Sequence, residues 1–209
     1  MWQIDPRGGT LCPDASSDLR VRVDAFGGTD PITMSAGGLS IEVHPVQTAV
    51  LPSLDEHFVR DDQWHANLPQ STTRFGIRLA FDQIPLNDHV VALECRLSVQ
   101  TDLLDSHPEL DLRLCGGTPT MVSPDDDVPP VATVIGSNDF FAAVLLSSND
   151  APHTKLLNND PPSLRLFGDF LEKGVIRRAR PWIIFGRFTG DDLKTWQQQL
   201  SDSPVPLTA

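Results

Sequence analysis

Residues 90–100 read VVALECRLSVQ, and the side chains alternate in kind along all eleven positions. Val91, Leu93, Cys95, Leu97 and Val99 share one parity; Ala92, Glu94, Arg96, Ser98 and Gln100 share the other. A strand points successive side chains to opposite faces, so this period of two predicts a strand with one buried and one wetted face. The period recurs. Leu19, Val21 and Val23 alternate with Arg20, Arg22 and Asp24; Leu39, Ile41 and Val43 alternate with Ser40, Glu42 and His44; Leu110, Leu112 and Leu114 point inward from residues 110–115. Sheets buried on one face only are usually antiparallel.

Two later runs are apolar on both faces, VATVIG (131–136) and FFAAVLLSS (140–148), with GSND between them. They predict a buried hairpin, the alternative being that the second run is a short helix capped by Ser137 or Asp139. Residues 163–188 predict another hairpin with Glu172, Lys173 and Gly174 at its tip, which would place Pro181 on an edge or at a bulge, since proline cannot donate to a ladder. Near the end, TGDDLKTWQQQLSDSP (189–204) carries Thr189 or Asp191 as cap, acids in its first turn, and an apolar stripe of Leu193, Trp196 and Leu200. A helix over about 191–201 follows, lying across a sheet face or covering an open edge. The sum is an all-β chain, a mostly antiparallel β-sandwich or flattened barrel with one C-terminal α-helix, in a single domain over 1–209.

Charge narrows the partners. Sixteen basic and 28 acidic residues give a formal net charge of −12, a surface that repels phosphate backbones and argues against nucleic acid. Arg177, Arg178 and Arg180 read as a solvated strand face. There is no run of apolar residues long enough to span a membrane, and MWQIDPRGG lacks a secretory pattern, so a cytoplasmic location is the expectation. The three cysteines, Cys12, Cys95 and Cys115, fit neither a disulfide framework nor a zinc site, and a Cys95–Cys115 bridge would need their strands to be neighbours.

The sharpest chemical question lies in EHFVRDDQWH (56–65), where His57, Asp61, Asp62 and His65 are candidate metal ligands or acid–base groups. The segment reads as a hairpin, and its register decides the chemistry. With Val59 opposite Trp64 the two histidines diverge to opposite faces; with Val59 opposite His65 they converge. Asp-Asp is a poor two-residue I′ turn, whereas a four-residue loop on a type I turn tolerates it, which favours divergence. A metal site would need a third ligand, such as His89 or His107. Asp125, Asp126 and Asp127 lack the alternating ligands and central Gly of a calcium loop. Ser106 and His107 are adjacent and read as part of a turn. The familiar nucleophile-elbow, phosphate-loop, dinucleotide and zinc-protease motifs are missing.

The functional expectation is a non-enzymatic binding or structural module acting through protein contacts at the sandwich loops, two of which (116–130 and 149–163) are long. A homodimer through Phe167, Phe170, Trp182 and Phe185 is a further expectation. The alternatives are a metal-dependent, hydrolase-like enzyme built on residues 55–65, and a carbohydrate-binding sandwich using Trp2, Trp64 or Trp182 as a stacking platform.

Overall fold

A computed structural model of the chain describes residues 1–13, 18–47, 50–122, 132–137, 139–147, 155–157 and 161–203. Among the described residues the strands form two sheets. The first is eight-stranded and contains β1 (Trp2–Asp5), β2 (Gly8–Leu11), β3 (Val21–Asp24), β4 (Ile32–Ala36), β5 (Leu39–Pro45), β10 (Glu109–Cys115), β15 (Ser163–Phe167) and β14 (Lys155–Leu157), in that spatial order. The second is nine-stranded and runs β11 (Thr118–Val122), β12 (Ala132–Ser137), β13 (Phe140–Leu145), β17 (Trp182–Gly186), β9 (Val90–Gln100), β8 (Gly76–Ile84), β7 (Gln63–Leu68) and β6 (Glu56–Arg60), with β16 (Ile176–Ala179) also paired to β9. Every pairing is antiparallel, as expected of strands that alternate so regularly.

The inward parity is the one the sequence marks. Val21, Val23, Leu39, Ile41 and Val43 meet Val91, Leu93, Cys95, Leu97 and Val99 in one core between the sheets. Trp2, Trp64 and Phe81 close one side of it, with ring centroids 5.5–6.3 Å apart. Strands β12 and β13 form the expected hairpin rather than a helix, with Ser137 opposite Phe140.

A second, smaller core explains why β13 and β17 are apolar on both faces. Helix α1 (Gly190–Asp202) lies on the outer face of the nine-stranded sheet. Its Leu193, Trp196 and Leu200 bury against Ala92, Val134, Ala143, Leu145, Trp182 and Ile184. Thr189 is the cap, and its hydroxyl accepts from the Asp192 N–H while the Asp192 carboxylate accepts from the Thr189 N–H. No helix among the described residues is long and apolar enough to cross a membrane.

Residues 163–188 depart from expectation. They do not form a hairpin: β15 pairs with β10 and β14 in one sheet, while β16 and β17 pair with β9 in the other. Alternation fixes which face a residue takes, not which sheet its strand joins, so the crossing left no mark in the pattern. Pro181 is not at a bulge; it follows β16, which among the described residues pairs with β9 alone and so is an edge segment. Ala179 stands opposite Leu97 and Trp182 opposite Glu94, so no residue is inserted across the gap. The Pro181 carbonyl accepts from the Cys95 N–H at 2.9 Å, the return bond is missing for want of a proline N–H, and the ladder breaks there into β16 and β17. Cys95 and Cys115 belong to different sheets and both are free thiols. Asp125, Asp126 and Asp127, and most of the 149–163 loop, lie outside the described residues.

Candidate functional site

The β6–β7 hairpin pairs Val59 with Trp64 and Arg60 with Gln63, so the histidines diverge as the register argument favours. The turn that achieves this is not the expected four-residue loop. It has two residues, Asp61 and Asp62, with φ of 50° and 61°, the positive pair of a type I′ turn. Aspartate tolerates this region better than most residues because its short side chain can hydrogen-bond locally.

His57 faces the interior side, where its Nδ1 accepts from the buried Trp64 indole N–H at 3.2 Å. His65 faces outward and stacks under Phe58 with centroids 5.1 Å apart. Burial, together with the nearby Arg96 and Arg60, holds the His65 imidazole below its ordinary pKa despite Asp61. Asp61 sits at the exposed tip, 3.5 Å from Arg60. The structure therefore does not bring His57, Asp61, Asp62 and His65 together, and no group of three or more His, Cys, Asp or Glu among the described residues is arranged to hold a metal ion. His89 and His107 flank opposite ends of the eleven-residue β9; His89 borders an open hollow with Asp18, Arg20 and Asp88, while His107 pairs with Asp105.

All four tryptophans are buried, which removes the platform that sugar stacking would need. Phe167, Trp182 and Phe185 are core residues; of the proposed dimer patch only Phe170 is exposed. Those strands read as surface only while 163–188 is taken for a protruding hairpin.

A different set of residues converges on the outer face of the nine-stranded sheet, beside the helix-covered area. Register places Asn67, Arg78, Ser98 and Arg178 in one row across β7, β8, β9 and β16. Gly76, Gln100 and Ile176 form the next row. Around them lies a cleft of about 220 Å³, lined by Asn67, Gln70, Arg78, Ser98, Gln100 and Asp102 among others. Gly76 shapes it by close approach: a Cβ there would stand 2.9 Å from the Gln70 backbone N. The rim is pinned by bonds from the Asp102 N–H to Gln70 Oε1 (2.8 Å) and from the Thr101 hydroxyl to the Arg74 carbonyl (2.7 Å).

The charges on this face sort by row. Asp82 and Glu94 lie toward the helix and occupy Arg96, at 3.5 and 3.3 Å, while Glu94 also approaches Arg180 at 4.0 Å. In the Ser98 row, Arg178 Nε donates to Ser98 Oγ at 3.3 Å, and neither Arg78 nor Arg178 has an ion-pair partner among the described residues. The chain matches no family model and no curated protein. Its site stands on geometry alone.

Sequence reasoning passed over this site because each member is an ordinary outward polar residue of an alternating strand. Only the pairing of four strands, two of them 80 residues apart along the chain, assembles them.

Proposed function

We propose that the chain is a non-catalytic binding module that holds a carboxylate-bearing segment of a protein partner against the outer face of its nine-stranded sheet. One observation carries this reading. Arg78 and Arg178 flank Ser98 without carboxylate partners among the described residues, in a chain where acids outnumber bases 28 to 16. Adjacent strands are about 4.8 Å apart, so the two arginines' backbones stand roughly 10 Å from each other, a span that two long guanidinium side chains can close on one carboxylate. The size of the cleft agrees. At about 220 Å³ it is smaller than the roughly 300–1,000 Å³ of pockets that enclose whole small molecules, and is suited to a side chain. Asn67, Gln70 and Gln100 add amide donors and acceptors beside it, and Ile176 gives an apolar wall.

The test is calorimetric titration with a glutamate-rich peptide, its glutamine counterpart and glucose. The acidic peptide is expected to bind and the other two are not. Arg78→Ala and Arg178→Ala should each weaken binding by about 1.5–3 kcal/mol, the range for hydrogen bonds to charged groups. Arg20→Ala, just before β3 of the other sheet, should leave it unchanged. Binding of the glutamine peptide with equal affinity, or indifference to both the Arg78 and Arg178 substitutions, would overturn the proposal.

A further inference from the structure

Strand β6 ends the nine-stranded sheet, and no strand among the described residues pairs with its outer side. Natural sheets usually blunt such an edge, because its free N–H and C=O groups are a template for another strand. Here the edge carries two exposed apolar side chains, Phe58 at 44% and Val59 at 41%. Its sequence is Glu56-His57-Phe58-Val59-Arg60, with opposite charges at the two ends and an aromatic in the middle.

We infer that β6 pairs antiparallel with β6 of a second copy of this chain, about a two-fold axis through Phe58. The inference goes beyond the ligand reading and does not depend on it. Two-fold pairing about Phe58 sets Glu56 opposite Arg60 of the second copy and, by symmetry, Arg60 opposite its Glu56. An interface of this type must be self-complementary, and this five-residue strand is.

The backbone phase agrees. The two-residue turn makes Arg60 and Gln63 the closing pair that exchanges backbone hydrogen bonds, so Phe58 and Glu56 also bond inward to β7. His57 and Val59 then turn their N–H and C=O groups toward the open edge. In the two-fold arrangement His57 and Val59 face Val59 and His57 of the second copy, which gives four backbone hydrogen bonds. Phe58 meets its own copy at a non-hydrogen-bonded position, where side chains approach most closely. Among the described residues Arg60 has only Asp61 at 3.5 Å, both side chains more than three-quarters exposed, so it is free to take the new partner. Beyond the five residues Asp55 would oppose Asp61, a like-charge pair; Asp61 lies past the ladder in the turn, and this confines the pairing to β6. So short an interface makes a weak, concentration-dependent dimer.

Sedimentation velocity on the full chain, over a hundredfold concentration range reaching ~1 mM, reads the association directly. The unmodified chain is expected to shift from monomer to dimer. Glu56→Arg and Arg60→Glu should each be monomeric, since each sets like charges opposite one another. Mixing those two variants should restore a dimer, because each then supplies the charge the other lacks. Val59→Pro is a second arm: its N–H serves only the outer edge, so the fold stays intact by circular dichroism while the dimer is lost. A chain that stays monomeric throughout the range overturns the inference. So does a dimer indifferent to these substitutions, or one that the mixture fails to restore.

Discussion

At the scale of single residues, two side chains report on how the sheets are held. The buried Trp64 indole donates to His57 Nδ1, and His57 sits at the rim where one wrong substituent leaves that donor without an acceptor. His57→Leu is expected to cost about 1–2 kcal/mol, while His57→Gln, which retains an acceptor, costs less. Thermal melts of the two variants against the parent decide it, with about 2–4 °C per kcal/mol in a chain of this size. Asp5 makes a second test, through pH. The Arg22 guanidinium, aided by the Arg7 N–H, holds its carboxyl down at about 2 from an ordinary 3.8. A carboxyl with a lowered folded-state pKa contributes stability above its unfolded value and loses it as pH falls toward the folded one. The contribution of Asp5 is therefore complete above about pH 4 and fades toward pH 2. Asp5→Asn should lower the urea midpoint at neutral pH, and the gap to the parent should close in that acid window. A gap that stays constant would mean that Asp5 does not act through its charge.

Elements show how much was legible in the sequence. Alternation identified β3, β5, β9 and β10 with the correct inward residues, because burial on one face of a strand leaves a period that nothing else produces. The stripe Leu193, Trp196 and Leu200 identified the helix for the same reason. What the pattern could not carry was partnership. Residues 163–167 and 176–186 look alike in sequence yet enter different sheets. The Asn67–Arg78–Ser98–Arg178 row was illegible on the same account, since it exists only after four strands have chosen neighbours. The β6–β7 register was readable although its turn was not: Asp61 and Asp62 hold positive φ where Asn-Gly would rest more easily. That local cost predicts that Asp61→Asn with Asp62→Gly stabilises the chain by about 1 kcal/mol without altering the strand register. Equilibrium urea unfolding measures the gain, and no gain would mean that the carboxylates offset the strain by bonds of their own.

For the whole molecule, the question is whether the two cores melt together. The core between the sheets holds Trp2 and Trp64; the core under the helix holds Trp182 and Trp196. They are separate clusters, but they share strands. Val91 and Leu93 of β9 point into the first and Ala92 into the second; Ile183 and Phe185 of β17 point into the first and Trp182 and Ile184 into the second. Stripping off the helix would expose one apolar face of strands whose other face is still buried. Opening the sandwich would leave the helix without a platform. Neither loss is isolated, so unfolding is expected to be a single cooperative transition, as for one domain. Fluorotryptophan labelling gives four ¹⁹F resonances, one per tryptophan, and in urea all four should share one midpoint and slope. An earlier midpoint for Trp182 and Trp196 would show that the helix docks as an independent unit on a sandwich that stands without it. Trp196→Ala then distinguishes the cases further. Removing a buried tryptophan costs about 3–5 kcal/mol. In a coupled molecule that loss moves the midpoints of Trp2 and Trp64 as well, whereas in an uncoupled one they stay where they were.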